Sequence, residues 1–261
     1  MKRTYVKLLT VAGLTGCFLF TSCRSAQETT ARYEISKVEG NMITIDSTWD
    51  ANPDKKATTV LKPYKDKVDA MMYEVIGTSE MKMDKGTPES LLSNLVASVL
   101  QEAAAQVLGK PADMGLVNMG GLRNILPKGD ITVGAVFEIL PFENSLCVLT
   151  MKGTDMKRLF KAIASLHGEG VSGIRLEINK KGELLNATIG GKPVVDDQLY
   201  TVATIDYLAD GNGRMDAFLQ AEKRECPEDA TLRGLFWDYV RKQTAEGKII
   251  TSKLDGRITV K

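Results

Sequence analysis

The sequence predicts a mixed α/β (α+β) domain, a mixed β-sheet flanked by helices, from three observations. Strand-like apolar runs and amphipathic helices interleave along the chain without a strict strand–helix–strand rhythm. One helix, Glu89 to Leu108, carries a continuous apolar face of the kind that packs on a sheet. Hydrophobic residues make up 43% and charged residues 26% of 261, ordinary soluble-protein composition that argues against wholesale disorder. Once an export signal of about two dozen residues is set aside, the rest suffices for one substantial domain, or two small lobes sharing a core.

In chain order, Tyr33–Val38 and Met42–Asp46 are short strand-like runs around Glu39-Gly40-Asn41, which predicts a hairpin. Residues 50–56 are a turn or loop, followed by a helix over Lys62–Met71 and a strand over Tyr73–Ser79. The helix from Glu89 has Thr87 as its expected cap, Pro88 at the first helical position, and Gly109 with Pro111 as its stop. Leu91, Leu92, Leu95, Val96, Val99, Leu100, Ala103 and Val107 form its apolar face. Further helices cover Thr154–Leu166 and Ala230–Ala245. Strands are expected at Gly115–Asn118, Asn144–Met151, Gly173–Asn179, Leu184–Ile189, Leu199–Ile205 and Arg257–Val260, with residues 180–183 turning a hairpin.

The amino terminus reads as a lipoprotein signal over residues 1–22. A basic start (Lys2, Arg3, Lys7) precedes an apolar run from Leu8 to Phe20, then Ser22 and Cys23. Cys23 is the expected lipidation site. Cys17 is a second candidate, disfavoured because Phe18-Leu19-Phe20 would then follow the cleavage site. The apolar run is too short to span a bilayer. Residues 23–31 form a polar tether and 32–261 the folded domain, exported and lipid-anchored to the bacterial cell envelope. Cys147, in an apolar strand-like run, and Cys226, in a polar stretch, remain in the mature domain. An oxidising compartment permits a bridge, but sequence does not show whether the two are close, so both are taken as structural or inert.

Charge excludes one class of partner. Lysine and arginine total 34 against 33 acids, which gives no electrostatic reason to expect nucleic-acid binding. His167 is the only histidine. A di-metal phosphohydrolase centre, which needs several imidazoles and carboxylates, cannot be built from this inventory. His167 itself reads as a surface or helix-terminal residue.

What the chain does carry is a recognition pattern. Val117-Asn118-Met119-Gly120-Gly121-Leu122-Arg123 places a strand end, two glycines and an arginine together. Glycines allow close approach of backbone to a ligand, adjacent N–H groups can cradle an anion, and arginine supplies a planar fork of donors. Then follow Gly129-Asp130-Ile131-Thr132, Leu140-Pro141-Phe142-Glu143-Asn144, and Tyr207-Leu208-Ala209-Asp210-Gly211-Asn212-Gly213. In order and spacing, from about Leu61 to the carboxy terminus, these segments resemble the carboxy-terminal domain of the 5′-nucleotidase and UDP-sugar hydrolase family.

That resemblance implies the fold of that domain and a pocket that stacks a base between two rings, here Phe142 and Tyr207. It implies that Asn118 bonds base or sugar, that Gly120 and Gly121 line the pocket, and that Arg123 lies near ribose and phosphates. Three departures qualify it. Met119 stands where a further glycine is usual, the family's loop aspartate falls on Gly213 with Asp210 as the nearby substitute, and no arginine occurs early in the first long helix. The family's metal-bearing amino-terminal half has no counterpart here. The chain is therefore expected to be the recognition half of a split 5′-nucleotidase, serving nucleotide catabolism or salvage. It would need a separately encoded metallophosphoesterase subunit that carries the divalent metals, and hold no cofactor and perform no hydrolysis itself. The alternatives are a non-catalytic nucleoside-binding surface lipoprotein and a degenerate scaffold whose pocket is vestigial, which a filled cleft between Phe142 and Tyr207 would favour.

Overall fold

A computed structural model of the protein describes residues 34–261. The expected signal segment, both lipidation candidates and the tether lie outside the described residues. The described chain divides after Pro53 into a short segment and a compact unit, Asp54–Lys261.

The hairpin expected over Tyr33–Asp46 is not formed: residues 34–46 contain no strand, and Ser47–Ala51 makes a 3-10 turn capped by Asp46. Ile35, Val38, Met42, Ile43 and Ile45 all remain exposed. An isolated pair of strands with nothing to cover its apolar face is marginal in water, so alternation alone did not suffice.

In the compact unit, helix α1 (Lys55–Met72) starts earlier than expected, because Asp54 caps it by accepting from the Ala57 N–H at 2.7 Å. Pro63 sits inside it. Strand β1 (Val75–Ser79) follows. The expected single helix from Glu89 to Leu108 is two, α2 (Leu91–Ala103) and the short α3 (Ala105–Leu108). Its cap is Ser90 rather than Thr87, and Pro88 is not the first helical residue. Glu89 is drawn away from the helix, its carboxylate accepting from the Asn94 amide at 2.7 Å and the Asp255 N–H at 2.9 Å. The stop at Gly109 forms as expected, in the left-handed conformation.

The main sheet uses β2 (Met114–Val117), β4 (Leu146–Lys152), β5 (Gly170–Ser172), β9 (Leu199–Ile205) and β10 (Lys223–Glu225), in the order β10-β4-β9-β2-β5. Only β2 and β9 run parallel; the other pairings are antiparallel, so the sheet is mixed as expected. The strand β3 (Gly129–Thr132) pairs with β1, and α4 (Val133–Ile139), capped by Thr132, follows it directly. Helix α5 (Gly153–Ser165) leaves β4. A second mixed sheet has the order β11-β6-β7-β8, from β6 (Ile174–Ile178), β7 (Leu184–Ile189), β8 (Lys192–Pro193) and β11 (Ile258–Val260). The short α6 (Asp206–Ala209) continues β9, and α7 (Leu232–Ala245), capped by Thr231, precedes β11.

The core lies between α2 and the main sheet. Leu92, Leu95, Val96 and Leu100 of α2 are buried with all of β2. The approach is close enough to require glycine at 115: a Cβ there would stand 2.2 Å from the Ala97 carbonyl oxygen. The two cysteines, whose proximity sequence left open, form a disulfide between buried β4 and the end of edge strand β10. It follows the ladder that pairs Val148 with Glu225.

Candidate functional site

Three chain segments converge at one end of the main sheet because of its pairing. Parallel neighbours β2 and β9 deliver their carboxyl ends side by side, and antiparallel β4 brings its amino end to the same edge, with Leu146 opposite Ile205. Asn118 follows β2, Tyr207 follows β9, and Phe142 lies just before β4. The carboxyl ends of parallel strands are where open α/β sheets place ligands.

The first segment turns tightly over Met119–Gly121, closed by a 3.0 Å hydrogen bond from the Gly121 N–H to the Asn118 carbonyl. Glu169, just before β5, accepts the Met119 N–H. Burial pushes the Glu169 carboxyl above its ordinary value, against that hydrogen bond. A Cβ at Gly121 would lie 2.9 Å from Asn118 Oδ1, so glycine here leaves the amide its position. Asn118 Oδ1 is buried and has no hydrogen-bond partner.

Asn118, Gly121, Leu140, Phe142, Asn144 and Ile205 line a small hollow of about 10 Å³. It has room for about one water, so a base would rest at its rim rather than inside it. Phe142 is 48% exposed and Tyr207 44% exposed, unusual for aromatic rings flanking a buried core. The Asp206 N–H donates to the Ser145 carbonyl at 2.9 Å, tying the Phe142 turn to the helical turn that carries Tyr207. Arg123 lies 5.9 Å from the centre of the Phe142 ring and donates to the Gly120 carbonyl at 3.3 Å.

The structure therefore gathers Asn118, Gly120, Gly121, Arg123 and Phe142 in one place, with Tyr207 at the end of the adjoining strand. Asp210 faces a group the sequence did not suggest: Arg224 of β10 pairs with it at 2.7 Å. Arg224 also donates to the Cys226 sulfur at 3.2 Å, so the disulfide edge and the loop after Tyr207 are linked. Gly213, in the left-handed conformation, stands 3.8 Å from the Tyr207 ring at its would-be Cβ. Residue-type reasoning missed Leu140, Ile205, Glu169 and Arg233, the last a buried arginine of α7 that donates to the Leu140 carbonyl at 3.0 Å. Leu140 and Ile205 look like ordinary core, but Glu169 between two glycines and Arg233 beside the apolar face of a helix were visible anomalies. A roomier hollow of about 680 Å³, lined by Gln101, Asp113, Lys192, Gln198 and Tyr200 among others, contains none of the expected site residues.

Comparison with known proteins gives a consistent picture. The family described as "5′-nucleotidase, C-terminal domain" matches residues 75–220. Endonuclease YhcR of Bacillus subtilis is 28% identical over 69% of this chain and 15% of its own length. The cell wall protein Lmo0130 of Listeria monocytogenes is 27% identical over 81% of this chain and 30% of its own. A 5′-nucleotidase precursor from Thermus thermophilus superimposes with a TM-score of 0.67 at 26% identity, over 81% of this chain and 44% of that one. The chain thus spans less than half the length of each of these relatives.

Proposed function

Because the chain belongs to the 5′-nucleotidase carboxy-terminal domain family, we propose that it is the nucleotide- or nucleoside-recognition half of a split 5′-nucleotidase-type phosphohydrolase. The observation that carries the reading is Asn118. Its buried side-chain oxygen lacks a partner and lines a hollow walled by the exposed Phe142 ring. A buried acceptor without a donor costs about 1–3 kcal/mol, a cost that a ligand N–H or O–H at this site would remove. Phe142 and Tyr207 supply the stacking surfaces, each base–ring contact contributing about 1–3 kcal/mol whatever the base. Arg123 reads phosphate or ribose oxygens through its fork of donors.

The divalent metals of the hydrolytic reaction are assigned to a separate exported metallophosphoesterase subunit. This chain does not fit them: His167 is its only histidine, and among the described residues no three His, Cys, Asp or Glu side chains converge. This chain's contribution is positioning of the substrate across the face that carries Asn118, Arg123, Phe142 and Tyr207. It acts at the cell envelope, anchored through lipid on Cys23. Loss of acyl labelling in Cys23→Ser but not in Cys17→Ser would support that anchor.

A second reading, a nucleoside-capturing lipoprotein without a catalytic partner, is favoured by the Asp210–Arg224 pair. That pair engages Asp210, the carboxylate expected to stand in for the family's loop aspartate. Isothermal titration of the signal-free protein with adenosine, AMP and UDP-glucose, beside Phe142→Ala, tests both. Binding that disappears in Phe142→Ala supports recognition, and hydrolysis that appears only with the metallophosphoesterase subunit selects the split enzyme. No binding with or without that subunit refutes both readings.

A further inference from the structure

We infer that Arg233 is the positioning residue of the Phe142 turn, gripping it from α7 so that the ring stands at the rim of the hollow. The inference rests on the nucleoside reading for its purpose and on independent geometry for its substance. Arg233 is 5% exposed, although arginine is rarely buried unless paired. One Nη donates to the Leu140 carbonyl at 3.0 Å, and the other pairs with Glu143, so the fork closes over both ends of the turn that holds Phe142. Leu140 ends α4, where carbonyls lack helical partners and a cation is favourable. The guanidinium stacks 3.9 Å from the centre of the Phe137 ring on α4, which fixes the plane in which the fork lies.

The backbone completes the grip. The Leu232 N–H donates to the Asn144 carbonyl at 2.8 Å, and Thr231 bridges to Ser145. The far side of the turn is held by main chain, and at the near side Arg233 adds its fork to the main-chain bonds of Ile139 and Leu140. Stability by itself does not account for this residue. Its Nε is buried without an acceptor, and its ionic partner Glu143 is exposed to solvent, where an ion pair adds little stability. What an apolar side chain cannot do is hold a carbonyl and a carboxylate three residues apart with one fork, and lysine, a point charge, holds one of the two at best.

The experiment is amide hydrogen exchange of the signal-free protein as wild type, Arg233→Met and Arg233→Lys, with adenosine and ribose 5-phosphate titrations alongside. The expected result is exchange at the Leu232 and Asp206 N–H groups, which donate to the Asn144 and Ser145 carbonyls of the turn, faster by about tenfold or more in Arg233→Met, with β4 and β9 protection unchanged. Adenosine should weaken by about tenfold, the loss of roughly one stacking contact, while ribose 5-phosphate is unaffected. Arg233→Lys should fall between. Unchanged turn exchange, or exchange rising equally in β4 and β9, overturns the inference. If wild type binds neither ligand, the nucleoside reading fails and the exchange data still decide Arg233. Should Arg233→Met not fold, Glu143→Gln, altered at an exposed side chain, replaces it: faster turn exchange supports the inference and unchanged exchange overturns it.

Discussion

Removing the disulfide by Cys226→Ser should destabilise the protein by about 4.5 kcal/mol. The two cysteines are 79 residues apart, and the chain-entropy cost of closing such a loop in the unfolded state lies between about 3 kcal/mol for 15 residues and about 4.7 for 100. The substitution is a clean one. Cys226 is exposed, and the remaining Cys147 is buried, where a free thiol behaves as a small hydrophobe. For a domain of this size each kcal/mol moves Tm by roughly 2–4 °C, so scanning calorimetry of signal-free protein should show a fall of about 9–18 °C. Dithiothreitol should bring wild type down to the variant and leave the variant where it is. A variant within about 2 °C of wild type without reductant would sink the entropic account. Two free thiols in unfolded, unreduced wild type would sink the bridge itself.

Gly115→Ala puts a methyl 2.2 Å from the Ala97 carbonyl oxygen and 2.5 Å from Ser172 Oγ. Overpacking there should cost about 1–3 kcal/mol or more, read as a lower urea midpoint with unchanged slope. Gly121→Ala puts its methyl 2.9 Å from Asn118 Oδ1, and should weaken nucleoside binding by about tenfold, 1.4 kcal/mol, while Tm stays within a few degrees. Glu169→Gln keeps an acceptor for the Met119 N–H but removes a carboxylate whose burial raises its pKa above the usual 4.5. The folded state then binds more protons than the unfolded one, so the penalty is absent below about pH 4.5 and grows as pH rises through the raised value. The variant should therefore melt higher than wild type at pH 7 and no higher at pH 4; a gain that is the same at both pH values would refute the assignment.

The site and the fold were legible to different degrees for physical reasons. The signals that carried were local and redundant: apolar spacing along α2, the Gly109 stop, the hairpin at 180–183, and strands such as Leu184–Ile189 and Leu199–Ile205 that form as expected. The ordered motifs around Asn118, Phe142 and Tyr207 pointed to one family, and the segments carrying them end at one edge of the main sheet. Local signals failed where competition decided. Thr87 and Pro88 looked like a helix start until Glu89 found Asn94 and Asp255, and the run over 33–46 looked like a hairpin but had no covered face.

By itself, then, the sequence determined the mixed α/β class, the main helices and strands, and the family, because each is written in periodicity and motif order within short windows. Only the tertiary structure decided which distant residues meet. Cys147 finds Cys226 across 79 residues, Asp210 meets Arg224, and Arg233 reaches back to Leu140 and Glu143. None of these pairs is implied by residue type or spacing. They follow from the strand order β10-β4-β9-β2-β5 and from the packing of α7 beside the Phe142 turn. Strand order is settled by the burial of a whole sheet at once, and no window of sequence contains that quantity.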